Sequence, residues 1–281
     1  SIVDNTQYRR YCIKIASGNY IEPGQITCKN YVDIEGESPQ NTILKFNISN
    51  NSIALSSGLL AASNSRISHL HIENITTSSN SYSSGIYAAS KSNIIIDKCY
   101  ITGSGTGITK YGAYFDSTDY KMYRCNFSIL AGAGANTGNL YGIYNDSCGS
   151  SEKITIEMTT ITVAESGSNT GQNHIGIYNQ DTHLHLISPF INIKSGVNSD
   201  KGIVAESSGA TNYSIIIQEG EIIIDTVASN NYAISLGNLS NDDNYTILVF
   251  NTRLEGDVNF TPSNPDTTVK CFNCYSLTGT D

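Results

Sequence analysis

Asp116 and Asp146 are the residues with the most direct chemical potential. Each stands two positions after the tyrosine of a recurring tripeptide, in Tyr114-Phe115-Asp116 and Tyr144-Asn145-Asp146. If those tripeptides occupy one place in successive repeats, the two carboxylates lie one strand spacing apart, roughly 5 Å. A separation of about that size suits retaining glycoside cleavage, with one acid as proton donor and the other as nucleophile. It also suits Ca²⁺, which takes carboxylate oxygens. A purely structural role competes with both, because Asp favours the turn that ends a strand. Beside the acids, Tyr87, Tyr114, Tyr144 and Tyr178 recur at the matching position. Such a column offers a face for sugar rings, or the centre of a protein interface.

Other chemistry-bearing residues are less organised. His69-Leu70-His71 and His183-Leu184-His185 each place two imidazoles at strand alternation, with no evident third metal ligand; His174 stands apart. There are seven cysteines. Cys99 and Cys125 end equivalent strand-like segments, so a disulfide could span them. Cys12 and Cys28 lie in consecutive segments, and Cys271 and Cys274 form a C-x-x-C. These six are disulfide candidates, and Cys148 is left over. One C-x-x-C without a second ligand pair does not make a zinc site.

The elements that must position these groups repeat. Gly85-Ile86-Tyr87, Gly112-Ala113-Tyr114, Gly142-Ile143-Tyr144, Gly176-Ile177-Tyr178 and Gly202-Ile203-Val204 are spaced by 27, 30, 34 and 26 residues. A period of this size means one supersecondary unit stacked many times. Between the copies run strand-like segments, over 93–102, 120–129, 153–163, 183–193, 213–225 and 245–254. Ile154, Ile156 and Met158 alternate with Thr155, Glu157 and Thr159, the pattern of a strand with one buried face. The apolar phase then slips to Ile161 and Val163, which predicts a bulge or bend near Thr160. Alternation points the tripeptide's middle residue inward and its tyrosine outward. Two residues on, the outer face carries Ala89, Asp116, Asp146, Gln180 and Glu206. Asn145 and Asn179 turn inward as a stacked amide pair. About eight coils are expected. Residues 1–11 and 262–281 are the expected end covers of a single domain, 1–281, because open strand edges recruit other chains.

The opening coils resemble the pectin-lyase-like superfamily, pectinesterases in particular. The resemblance rests on Ile13-Lys14-Ile15-Ala16-Ser17-Gly18-Asn19-Tyr20-Ile21-Glu22, Val32-Asp33-Ile34-Glu35-Gly36-Glu37 and Thr42-Ile43-Leu44. It covers about the first 45 residues. It implies an all-β, right-handed parallel β-helix (a β-solenoid) with three strands per coil. Pectinesterase-like chemistry would add a Gln-Asp pair, which Gln180-Asp181-Thr182 echoes, making Asp181 a third candidate acid. The second Asp segment and the Arg-x-Trp segment of such enzymes have no counterpart, and the chain has no Trp. Of the polygalacturonase-like motifs only Asp242-Asp243 is found.

Composition narrows the partners. A net charge of -9 disfavours nucleic-acid backbones. No apolar run reaches the ~20 residues of a membrane span. The chain begins at Ser1, which reads as a mature form with its leader removed, and so as an extracellular or cell-surface protein. No cofactor is implied beyond Ca²⁺ at Asp116 and Asp146. The expectation is a secreted, non-catalytic β-helix with a structural or adhesive role, self-associating into an oligomer or filament. The alternatives are a polysaccharide-binding or polysaccharide-cleaving protein and a tailspike-like viral surface protein.

Overall fold

A computed structural model describes residues 6–48, 50–76, 82–106, 109–131, 138–147, 153–165, 173–194, 199–207, 212–225, 231–236, 244–259 and 268–275. Its strands form three parallel sheets of ten, nine and nine. Each coil gives one strand to each sheet in turn, which is the three-strand β-helix expected. Nine full coils and one further strand are described, one coil more than the repeat suggested.

Inward residues pile into columns across the rungs. Ile34, Ile67, Ile96, Met122, Ile156, Leu186, Ile217 and Val249 line the first sheet; Leu44, Ile72, Ile101, Phe127, Ile161, Ile191 and Ile222 line the second. All are buried. Each such side chain contributes about 1.5–3 kcal/mol of burial, and only because a neighbouring coil covers it.

The long strand-like segments are in fact strand pairs folded round a corner. The phase slip near Thr160 is that corner. Met158 adopts the left-handed conformation (φ 47°), as do Lys98, Arg124, Ser188, Glu219 and Asn251 at equivalent places. Hydrogen bonding continues through the bend: Lys98 N donates to Tyr123 O at 2.9 Å, Arg124 N to Glu157 O at 2.9 Å and Met158 N to Ile187 O at 2.8 Å. The corner therefore leaves no orphaned amide, which is what lets a non-glycine residue hold that conformation. It also separates His69 from His71. His69 sits in the bend (φ 56°) and His71 on the next strand, so they do not share a face.

The repeated glycine has a different reason. Gly142 and Ile143 both face the core, so the strand carries two inward residues in succession. A Cβ at Gly142 would stand 2.3 Å from Ile161 Cγ2 and 2.5 Å from the carbonyl oxygen of Gly176 on the next rung. Gly112, Gly176 and Gly202 meet the same obstacle, each within 2.6 Å of the following rung's carbonyl. Asn145 and Asn179 are buried and bonded as expected, Nδ2 of the first to Oδ1 of the second at 3.2 Å.

Of the expected end covers, residues 1–5, 262–267 and 276–281 lie outside the described residues. Residues 6–9 form a small exposed turn, Tyr11 already opens the first strand, and Thr268–Phe272 is a tenth rung of the first sheet. The six described cysteines are free thiols. Cys12 lies outside, 3.7 Å from Glu35 Oε2, whereas Cys28 is in the core, where burial pushes its thiol up to about 12. Those two face opposite ways and cannot pair. Cys99 and Cys125 are neighbours whose thiols meet without a bond between the sulfurs, and each also points to a backbone carbonyl, Cys99 to Ile67 at 3.5 Å and Cys125 to Tyr123 at 3.3 Å. Cys271 and Cys274 are likewise close but unbridged. Cys148 and Asp242-Asp243 lie outside the described residues.

Candidate functional site

The outer face of the third sheet carries the candidate site. Its strands include Tyr82–Ala89, Thr109–Asp116, Leu140–Asp146, Asn173–Gln180 and Ser199–Glu206. The register places Tyr87, Tyr114, Tyr144, Tyr178 and Val204 in one column, as the spacing predicts. Ring centroids are 5.7, 4.9 and 4.3 Å apart along the tyrosines, with planes within 23°. Inner rings of the column therefore cover one another's faces. What they present outward is ring edges and hydroxyls, so stacking of a sugar on the middle of the column is ruled out.

A second tyrosine column was not foreseen. Tyr111 and Tyr141 stack at 5.1 Å and meet Tyr114 and Tyr144 edge-on at 5.1 and 4.9 Å. With Ile175 and Val204 they form an apolar cluster separate from the main core. Strict alternation would put residues three apart on opposite faces. The two successive inward residues at Gly112-Ala113 and Gly142-Ile143 cancel that flip. The signal lies in Tyr111-Gly112-Ala113-Tyr114 and Tyr141-Gly142-Ile143-Tyr144, where the glycine can turn inward beside an inward neighbour.

Asp116 and Asp146 are register partners beside this face. Tyr114 donates its hydroxyl to Asp146 Oδ2 at 2.6 Å and Ser147 donates to Asp146 Oδ1 at 2.9 Å. Ser117 donates to Asp116 Oδ1 at 2.8 Å. Tyr178 donates to Glu206 on the next rung. Burial raises the Tyr114 and Tyr178 phenols far above the usual tyrosine range, and their carboxylate acceptors raise them further. Tyr144 moves the same way, through burial and then the charge of Asp146. These phenols are neutral donors, not phenolate nucleophiles.

Asp181 does not join them. It follows Gln180 into a left-handed turn (φ 53°), is buried, and accepts from Ser207 Oγ at 2.9 Å. It takes the place held by Ser117 and Ser147 on the earlier rungs. A three-acid site is thus not assembled. Nor do the residues fit Ca²⁺: two rungs offer one carboxylate each, both already holding hydroxyls, and among the described residues no three His, Cys, Asp or Glu cluster to hold an ion. The histidines are spent singly, His71 on Thr102 Oγ1 at 2.8 Å, His183 on Ser214 Oγ at 2.9 Å and His185 on Gln218 Oε1 at 3.2 Å.

Two further charged groups escaped the sequence reading. On the outer side of the first sheet, Asp97 accepts from Arg66 and from Arg124 Nη2, the latter at 2.8 Å. Burial pushes the Asp97 carboxyl up, but the two guanidiniums outweigh it and hold it below the usual range. Inside the third sheet, register aligns Ser83, Lys110, Leu140, His174, Asp200 and Asn231. Lys110 is fully buried, and burial brings its ammonium down to about 8. His174 Nδ1 is 3.1 Å from Asp200 Oδ1. Periodicity predicts a row there but not its polarity.

No helix among the described residues is long and apolar enough to cross a membrane. No protein-family model matches the chain, and no curated protein matches it. Solved structures do. An endo-xylogalacturonan hydrolase from Aspergillus tubingensis is similar over 95% of this chain and 86% of its own, with TM-score 0.41 and 11% identity. The Dettilon tailspike protein is similar over 95% of this chain and 62% of its own, with TM-score 0.40 and 10% identity. A pectin methylesterase from Yersinia enterocolitica is similar over 98% of this chain and 87% of its own, with TM-score 0.50 and 13% identity. The chain thus shares its parallel β-helix with the Yersinia enterocolitica pectin methylesterase, and at this identity the likeness is one of fold.

Proposed function

We propose that this protein is a non-catalytic, extracellular β-helix that works as an adhesive scaffold. It holds a hydroxyl-rich polysaccharide along the tyrosine and acid face of its third sheet. One observation carries the reading: every candidate acid is already an acceptor for a hydroxyl of the chain. Asp146 holds Tyr114 and Ser147, Asp116 holds Ser117, Asp181 holds Ser207, and Glu206 holds Tyr178. These donors engage both oxygens of Asp146 and one oxygen each of Asp116, Asp181 and Glu206, so the acids work as hydrogen-bond acceptors within the face. Phenol edges and shared carboxylates suit exchange of hydrogen bonds with sugar hydroxyls, as polar interface rims do.

The test is co-sedimentation with insoluble pectin, polygalacturonate, alginate and similar polymers, alongside assays for new reducing ends, unsaturated ends and released methanol. Binding without cleavage is expected. Tyr114→Phe with Tyr178→Phe keeps the stacking and removes two hydroxyls, so affinity should fall about tenfold. Cleavage that disappears in Asp146→Asn would replace this reading with an enzymatic one.

A further inference from the structure

We propose that copies of this protein stack head to tail, the tenth rung of one pairing with the first rung of the next. This inference goes beyond the binding face and does not depend on it. Tyr11–Ile15 is the end strand of the first sheet at one pole, and Thr268–Phe272 is the end strand of the same sheet at the other. All strand pairs between them are parallel, so a second copy shifted along the axis meets the same polarity that every internal rung meets.

The first pole exposes core. Ile13 holds the column position of Ile34 but is 45% exposed, where Ile34 is buried. Above it lies a hollow of about 470 Å³ lined by Ile13, Ile26, Cys28, Val32 and Ile34 among others. A rung fills such a space at every other level of the molecule. Neither Tyr11–Ile15 nor Thr268–Phe272 contains the proline or bulge that blunts edge strands.

Column equivalence fixes the register. Cys271 pairs with Val249, and Ile13 with Ile34, in the same inward column. The junction therefore sets Cys271 on Ile13 and Val269 on Tyr11. On the outer face it sets Lys270 beside Cys12 and Phe272 beside Lys14, a cation over a ring with no like charges directly opposed. The contact joins two different surfaces, so it propagates without closing.

The experiment uses the whole chain. Light scattering across a concentration series should give a mass that rises without plateau, and electron microscopy should show rods growing in steps of roughly 45 Å. Ile13→Cys in a Cys12→Ser background, treated with glutathione disulfide, should form a bond between the thiol at position 13 and Cys271 of the next copy. Two thiols are oxidised and one glutathione disulfide is reduced to two glutathiones. A gel without reductant should then show covalent dimers, trimers and larger species, abolished by Cys271→Ser. Ile13→Lys should raise the concentration at which assembly begins by about tenfold or more, with an unchanged circular dichroism spectrum. A monomer at all concentrations, a closed oligomer of fixed mass, or cross-linking that survives Cys271→Ser would each overturn the proposal. The wild-type mass does so even if the variants fail to fold.

Discussion

The third and first sheets are built on the same rungs, yet their outer faces solve the same problem differently. On the third sheet, two successive inward residues at the repeated glycine bring a second tyrosine to the outside on two rungs, and the rings bury one another. Asp146 and Glu206 are bound by the phenols of neighbouring rungs. On the first sheet there is no such doubling, and side chains alternate singly. There the charges pair with each other across rungs, Asp97 between Arg66 and Arg124. One face is a second small core with hydroxyls at its rim; the other is a screened surface. The inner faces differ too, because only the third sheet buries Lys110.

The inward-facing glycine is the sharpest point of difference, so filling it should have the largest effect. Gly142→Ala places a methyl against Ile161 and the Gly176 carbonyl, neither of which can retreat without moving a rung. A loss of about 3 kcal/mol or more is expected in chemical denaturation. Gly24→Ala, with nothing within 4 Å, should be near neutral. Equal effects would mean that the glycine is not what fixes the tyrosine face.

Lys110 comes next. Its folded-state value of about 8 lies below the unfolded lysine value of about 10.4, so the folded chain binds fewer protons between those limits. Stability from this group is therefore lowest below pH 8 and recovers as pH rises towards 10.4. Lys110→Met should stabilise the protein at pH 7 by about 3 kcal/mol. That gain should shrink through the same window. A gain independent of pH would assign it to packing alone.

The two outer faces can then be compared directly. Tyr144→Ala removes a half-buried ring stacked on both sides, and should cost about 2 kcal/mol. Tyr144→Phe should cost less than half of that. Lys121→Ala, on the exposed face of the first sheet, should stay within about 0.5 kcal/mol. The stacking on both sides makes this ring part of the packing of the face as well as of its surface.

What was legible in the sequence was whatever depends on the repeat. The period located the third-sheet strands, the inward column through Ile143 and Ile177, the tyrosine column and the Asn145–Asn179 pair. It could not separate a long strand from two strands around a corner, because the left-handed residue there is Lys98, Arg124 or Met158 rather than glycine. The corner is held by rung-to-rung hydrogen bonds, which leave no mark on residue type. Tyr111 and Tyr141 stay hidden because strict alternation fails at the inward-facing glycines between the paired tyrosines. Asp181 was a candidate only through its likeness to a pectinesterase-like Gln-Asp pair; the repeat already sets Gln180, not Asp181, beside Asp146, and that residue of offset turns Asp181 inward. The ion pairs of Asp97 join residues 31 and 27 positions apart, a distance that only the coil length makes short.

Asp97 gives the smallest effect and the cleanest sign. Its folded-state carboxyl lies below the unfolded value of about 3.9, since Arg66 and Arg124 outweigh its burial. Its contribution is present above that unfolded value and is lost as pH falls through the folded one. Both arginines are nearly half exposed, with 45% and 48% of their side chains accessible, so solvent screens the pair and the contribution should be about 1 kcal/mol. Thermal melts of wild type and Asp97→Asn should differ at pH 6 and draw together as the pH falls past the unfolded carboxylate value and through the folded one, and added salt should narrow the gap at pH 6. The tyrosine-bound acids of the third sheet meet hydroxyl donors rather than cations, so Asp146→Asn should show much weaker salt dependence. If salt affects both variants alike, the two faces do not differ in the way their hydrogen bonds indicate.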